Sequence, residues 1–206
     1  MIILASESPR RRELMTLMGL TFRIIPSHSP EIPPVGAGPR EYVESLALQK
    51  ARAVAESHPK DCVIGADTVV YLDGSILGKP HTPERAKDYL SRMQGRKHTV
   101  YTGIALLYGD RTDVRHCCTD VTFAPMTDEE IDWYVSTGEP LDKAGAYGVQ
   151  GPGGIFVEKV DGNYFNVIGM PMPLLYRMLK DAGQIRMNAQ MAGHAADNIW
   201  NMPDHE

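Results

Sequence analysis

An apolar run from Met1 to Ala5, ended by Ser6-Glu7-Ser8, predicts a short buried strand at the start of the chain. Ser8 before Pro9 then predicts a helix, with serine as N-cap and proline in the first helical position, running to Met18 and stopping at Gly19. Phe22 to Pro26 predicts a second strand, followed by a loop rich in Pro, Ser and Gly through Gly38. From Pro39 to Ser57 apolar residues recur every three or four positions (Tyr42, Val43, Leu46, Ala47, Ala51, Val54), the longest helical pattern in the chain. Cys62 to Leu72 predicts a strand, Asp73-Gly74 a hairpin turn, and Ser75 to Leu77 its return strand. Thr82-Pro83 opens a helix through Met93, and His98–Tyr108 and Val114–Phe123 predict two long strands joined at Gly109-Asp110. Thr127 to Glu130 spells a capping box for a helix ending at Gly138; a strand over Ile155–Val160 and a helix over Pro171–Ala182 complete the pattern. Strands interleaved with helices, some of them paired as hairpins, predict an α/β fold with a mixed sheet.

Composition narrows the class without changing that picture. The chain has 206 residues, 43% apolar and 23% charged, which is ordinary globular usage and argues against disorder or a coiled coil. Lys and Arg number 21 against 26 Asp and Glu, so a broad duplex-binding surface is not expected, and neither is stable nucleic-acid binding. Three cysteines, two of them adjacent (Cys117 and Cys118), imply no disulfide framework and fit a reducing cytoplasm. No run approaches the length of a membrane span, so no membrane association is expected. Residues 1–186 read as one domain. Residues 187–206, with three acids and neither Lys nor Arg, read as a C-terminal extension outside it.

Several residues stand out as candidates for chemistry. Arg10-Arg11-Arg12 sit in the first turn of the Ser8-capped helix, where the helix dipole already disfavours cations by roughly 0.3–1 kcal/mol each. A bound anion reverses that sign, so the turn is either a phosphate site or a solvated basic face. Asp67 interrupts the apolar stretch Val63 to Val70; it either faces water at a strand edge or is buried against a metal or cationic partner. Lys79, between Gly78 and Pro80, and Lys50, among apolar helix neighbours, are either phosphate ligands or snorkelling lysines. The stretch Asp142 to Gly151 holds too many small residues for a helix interior, yet carries Tyr147 and Gln150. Small residues admit a ligand to the backbone, and a Gln amide can read a base edge with one donor and one acceptor. There is no P-loop, no dinucleotide fingerprint and no nucleophile elbow, and His116-Cys117-Cys118 in a strand pattern is unsuited to zinc.

In order along the chain, Ser6-Glu7-Ser8-Pro9-Arg10-Arg11, Leu46 to Ala51, Gly65-Ala66-Asp67-Thr68-Val69-Val70, Gly78-Lys79-Pro80, Gly95 to Thr102, Asp142 to Gly151 and Asn166 to Pro171 resemble the Maf family of nucleoside triphosphate pyrophosphatases. The resemblance implies a mixed-sheet α/β fold similar to inosine triphosphate pyrophosphatases, with two lobes around a deep cleft. It also implies hydrolysis of a nucleoside triphosphate to monophosphate and pyrophosphate with a divalent metal, Mg²⁺ or Mn²⁺. By resemblance the catalytic acid falls on Asp67, and the specificity positions fall on Arg10, Thr68 and Gln150. The phosphate and metal neighbourhood falls on Ser8, Arg11, Glu31, Lys50 and Lys79, with Glu31 and Asp67 as the metal carboxylates. The wording of Asp142 to Gly151 resembles the branch acting on dTTP and UTP, and Tyr147 with its small neighbours is expected to leave a slot sized for a pyrimidine. The expected partner is therefore the nucleotide substrate, with a homodimer as an open assembly. The competing reading is a nucleotide-sensing or nucleic-acid-binding regulator of cell division that does not turn over its ligand.

Overall fold

A computed structural model describes residues 1–186. The extension expected over residues 187–206 lies outside them. In chain order the strands are β1 (Ile2–Leu4), β2 (Phe22–Ile24), β3 (Cys62–Leu72), β4 (Ser75–Leu77), β5 (Lys97–Tyr108), β6 (Arg111–Phe123) and β7 (Val157–Asp161). The helices are α1 (Pro9–Leu17), α2 (Pro39–Ala55), α3 (Pro83–Met93), α4 (Asp128–Ser136), α5 (Tyr164–Ile168) and α6 (Met172–Asp181). The strands form one mixed sheet in the order β2-β1-β3-β5-β6-β7, with β4 added to β3. The β1 pairings are parallel, and those of β3 with β5, β5 with β6 and β6 with β7 are antiparallel.

Local chemistry accounts for most boundaries. Ser8, Thr82 and Thr127 each accept a backbone N–H at their helix start, and Thr127 with Glu130 completes the capping box. The β3–β4 hairpin turns through Asp73 and Gly74, with φ of 48° and 78°, the left-handed pair that a tight hairpin needs. Three of the differences from the sequence expectation have a clear local cause. β6 begins at Arg111 because pairing with β5 continues through polar residues to Tyr108↔Arg111. Pro152–Phe156 forms a 3₁₀ turn, so β7 starts only at Val157. Tyr164–Ile168 forms α5, capped by the Asn163 side chain on the Asn166 amide.

Two features of the sheet prepare a site. β5 pairs with β3 from Val63 to Tyr71, which leaves β1 and β4 to share the opposite edge. β1 covers that edge only through Ile64, and β4 resumes only at Val70, so the sheet is split along Gly65–Val69. On one face, two apolar cores lie at either end of the same strands. Ile64, Ala66, Ile104 and Leu106 belong to the core under α1 and α6, whereas Val70, Leu72, Val100 and Val121 belong to the core under α3 and α4. Thr68 and Thr102, paired across β3 and β5, fall between them, so a polar seam divides the cores at the level of the split.

The other face carries α2, which turns Val43, Leu46, Ala47, Ala51 and Val54 inward. It rests on backbone rather than on side chains. A Cβ at Gly65 would stand 2.1 Å from the Ala47 carbonyl oxygen, and one at Gly103 would stand 2.4 Å from that of Val43. Gly103 is the register partner of Asp67, so this seat sets the distance between α2 and the buried acid.

Candidate active site

Asp67 faces α2 and is 8% exposed. Lys50 on α2 reaches it with Nζ 2.6 Å from Oδ1, and the same ammonium lies 3.0 Å from Glu31 Oε1. Glu31 gets there because Gln49 clamps its loop, accepting from the Ile32 amide at 3.0 Å and donating to the Ile32 carbonyl at 2.8 Å. Burial pushes the Asp67 carboxyl above the usual carboxylate range; Lys50 and Arg11 pull the other way and Glu31 adds to the rise. The result is a carboxylate of raised basicity with an ammonium fixing its orientation. Lys50 is thus an ion-pair partner on the acid face of the sheet, not a snorkelling lysine.

Ser8 performs the capping role expected of it, its Oγ accepting from the Arg11 amide at 3.5 Å. Ser6 Oγ accepts from the Ser8 amide at 3.3 Å and from Arg11 Nη1 at 3.1 Å. The Arg11 guanidinium turns inward and bolts three parts of the chain together. Its Nε donates to the Gly169 carbonyl at 3.0 Å, Nη1 to the Ala66 carbonyl at 2.9 Å, and Nη2 to Thr68 Oγ1 at 3.1 Å. The bond to Ala66 fills part of the sheet split. Burial lowers the Arg11 pKa from its ordinary value, against the attraction of Asp67. Four of the five guanidinium N–H donors are thus committed to the protein.

Arg10, one position earlier, is half-buried, and Lys79 is exposed just after β4. The two approach Asp142 from different segments. Burial works upward on the Asp142 carboxyl, but the hydrogen bond from Lys143 and the charges of Lys143, Arg10 and Lys79 hold it below its usual value. Gln150 is exposed in a turn between the 3₁₀ segments Ala144–Ala146 and Pro152–Phe156. That turn wraps a carboxylate the sequence reading passed over. Glu139 Oε2 accepts from Tyr134 Oη at 2.6 Å and from the Gly153 amide at 3.0 Å, while Tyr134 Oη accepts from the Gly148 amide at 3.1 Å. A Cβ at Gly151 would stand 1.9 Å from Glu139 Oε1, which is why glycine fits beside Gln150.

One expectation is corrected. Tyr147 does not line a slot: it is 6% exposed, hydrogen-bonded to His98 Nε2 at 2.8 Å and edge-on to Phe123 at 4.8 Å, within the core under α3 and α4. A large aromatic flanked by small residues buried more area by turning into that core than by facing a cleft. Strand alternation also puts Asp67 and Thr68 on opposite faces of β3, so they share the split edge but not one surface.

The residues fit a divalent metal of the Mg²⁺ type. Such ions take one or two carboxylates and complete their shell with substrate phosphates and water. Glu31 and Asp67, gathered on one ammonium, would supply that pair, and the described residues hold no cluster of three His, Cys, Asp or Glu that would form an all-protein cage.

A buried carboxylate of raised basicity at the split of a mixed sheet, held by Lys50 beside Glu31 and Arg11, with Arg10 and Lys79 converging on Asp142, is the site that this α/β fold builds. The fold is similar to that of HAM1 proteins. A solved structure from Coxiella burnetii aligns with a TM-score of 0.52 at 19% identity, covering 87% of this chain and 98% of that one, and a Ham1 protein from Staphylococcus aureus aligns with a TM-score of 0.52 at 16% identity over 88% and 98%. The chain belongs to the Maf-like protein family, whose model matches residues 1–182. Among its relatives are proteins named dTTP/UTP pyrophosphatase. One from Bacillus cereus (strain AH820) is 50% identical over 179 residues, covering 87% of this chain and 94% of that one. Another, from Bacillus cytotoxicus, is 48% identical over 178 residues, covering 86% and 93%.

Proposed function

We propose that this protein is a nucleoside triphosphate pyrophosphatase that hydrolyses dTTP and UTP to the monophosphate and pyrophosphate. The observation that carries the chemistry is the Glu31–Lys50–Asp67 arrangement, a buried carboxylate of raised basicity held in one orientation by an ammonium 2.6 Å away. The relatives named dTTP/UTP pyrophosphatase support the choice of substrate.

Asp67 accepts a proton from water as the water oxygen attacks the α-phosphorus. The new P–O bond replaces the bond to the bridging oxygen, and pyrophosphate leaves as one unit. Lys50 keeps the carboxylate ionised and aimed before attack, and Arg10 and Lys79 take the charge of the departing phosphates. Glu31 and Asp67 would hold a divalent cation, which would supply further neutralisation of phosphate charge when bound. Arg11 serves here by holding the start of α1 against β3, which fixes Arg10 and Ser8 relative to Asp67. Gln150 offers its amide donor to a carbonyl of uracil or thymine, beside the N3–H. We place the enzyme in the cytoplasm, in keeping with three free cysteines and with the absence, among the described residues, of any helix long and apolar enough to cross a membrane.

The test is a panel of nucleoside triphosphates incubated with Mg²⁺ or Mn²⁺, the products resolved as monophosphate, diphosphate, phosphate and pyrophosphate. Monophosphate and pyrophosphate from dTTP and UTP, ahead of dCTP and dGTP, are expected, and Asp67→Asn should lower turnover by about 10²-fold or more while nucleotide still binds. A diphosphate product, or near-normal turnover in Asp67→Asn, would refute the reading.

A further inference from the structure

The hydroxyl of Thr68 belongs to a hydrogen-bond chain that runs in one direction only. Thr102 Oγ1 lies 3.0 Å from the main-chain carbonyl of Asn166 and 3.0 Å from Thr68 Oγ1. A carbonyl can only accept, so the single proton of Thr102 goes to Asn166. The proton in the Thr68–Thr102 bond is therefore that of Thr68. Arg11 Nη2, 3.1 Å away and able only to donate, fills one lone pair of Thr68. A hydroxyl has one proton and two lone pairs, so Thr68 is left with one lone pair and no proton to give.

The chain cannot easily be reversed, because its far end is buried and fixed. Thr102 and Asn166 are both 0% exposed. The Asn166 side chain donates to the Val100 carbonyl and to Thr119 Oγ1, both at 3.0 Å, and the Asn166 main-chain N–H donates to Asn163 Oδ1 at 2.9 Å. Thr68, by contrast, is only partly buried and lies at the split in the sheet edge.

We propose that Thr102 is a specificity-determining positioning residue: by taking the proton of Thr68 it makes that hydroxyl a pure acceptor, complementary to the N3–H of uracil and thymine and repelled by the N3 lone pair of cytosine. The inference rests on the dTTP/UTP reading above and on Thr68 meeting the base. A site that expects a hydrogen bond rejects a base that leaves its polar group unpaired far more strongly than a purely apolar slot does. Without Thr102 Oγ1, the Thr68 proton is free to swing toward cytosine N3, and selectivity falls although no residue touching the base has changed.

The experiment compares kcat/KM for dTTP and dCTP in the wild type, Thr102→Val, Thr102→Ser and Thr68→Val. The dTTP/dCTP ratio should fall at least about tenfold in Thr102→Val and stay near the wild-type ratio in Thr102→Ser, which keeps the hydroxyl. General loss of packing would lower both rates together and leave the ratio alone. Where Thr102→Val does not fold, the wild type supplies the reading: 3-methyl-UTP, which lacks N3–H, should be hydrolysed at least about tenfold less efficiently than UTP. Full efficiency on 3-methyl-UTP overturns the proposal. A selective wild type whose ratio changes in Thr68→Val but not in Thr102→Val overturns the role of Thr102 alone. A wild type that treats dTTP and dCTP alike overturns the base preference itself.

Discussion

Substitution of Gly103 by alanine tests whether the main-chain seat of α2 sets the catalytic geometry. The added Cβ would stand 2.4 Å from the Val43 carbonyl oxygen, 2.5 Å from its carbon and 2.8 Å from the Glu44 nitrogen, all backbone atoms of α2. No rotamer change relieves such a clash. Ordinary contact begins near 3.4 Å, so the helix must rise by about 1 Å or the strand must sink by as much. Overpacking of this kind costs ~1–3 kcal/mol, read as a lower midpoint in urea at unchanged slope. The same displacement, carried two turns along α2, lengthens the 2.6 Å contact between Lys50 and Asp67 beyond good hydrogen-bonding range. Misplacement of about 1 Å can cost ~10²-fold in rate, so kcat should fall by more than the modest change in KM. Steady-state pyrophosphate release, assayed where the variant is fully folded, separates the two effects. Unchanged stability would show that the helix does not rest on the strand backbone. Lost stability with kcat intact would show that the seat does not position Lys50.

Arg10→Ala and Lys79→Ala should each remove a charge-assisted contact worth about 1.5–3 kcal/mol, read as a ten- to hundredfold lower kcat/KM with an unchanged urea midpoint; wild-type kinetics in both would move the phosphate site elsewhere. Arg11→Lys keeps the charge but loses the fork that joins Gly169, Ala66 and Thr68, so it should lower stability by about 2 kcal/mol or more, and an unaltered midpoint would deny the clamp. Burial lowers the His98 pKa from 6.5 to about 4. The unfolded chain therefore binds the proton first, and stability should drop as pH falls from about 6.5 to about 4, by up to ~3 kcal/mol from this residue. His98→Gln cannot titrate and should remove that part of the slope between pH 7 and 4; an identical pH profile would refute the assignment.

The elements that the sequence made legible are those closed by local hydrogen bonds. Ser8-Pro9, Asp73-Gly74, Thr82-Pro83 and the Thr127–Glu130 box each satisfy backbone groups within a few residues, and each stands where the pattern puts it. Asn163, three residues before Asn166, was the same kind of signal, and its cap announces α5. The site was legible as a set of residue types but not as an arrangement. Three consecutive arginines look alike in sequence, yet Arg11 turns inward because a carbonyl from Gly169, far along the chain, comes to meet it. The helix that carries Lys50 sits close against two glycines whose only visible property is the lack of a side chain. Glu139 shows no pattern of its own, because its partners Tyr134, Gly148 and Gly153 reach it only once the chain has folded back.

The unpaired edge between Ile64 and Val70 has a consequence for the protein in a crowded solution. Free main-chain groups on a strand edge are a template on which any other extended chain can add itself, the first step of edge-to-edge aggregation. Here the template is interrupted by charge: Arg11 lies across the Ala66 carbonyl, and the ammonium of Lys50 stands beside Asp67 on the opposite face. A neighbouring polypeptide would have to displace a buried guanidinium to continue the ladder, whereas a small anionic ligand meets the same charges as attraction. The cations that hold the two sides of the gap together are, for a stray β-strand, its guard.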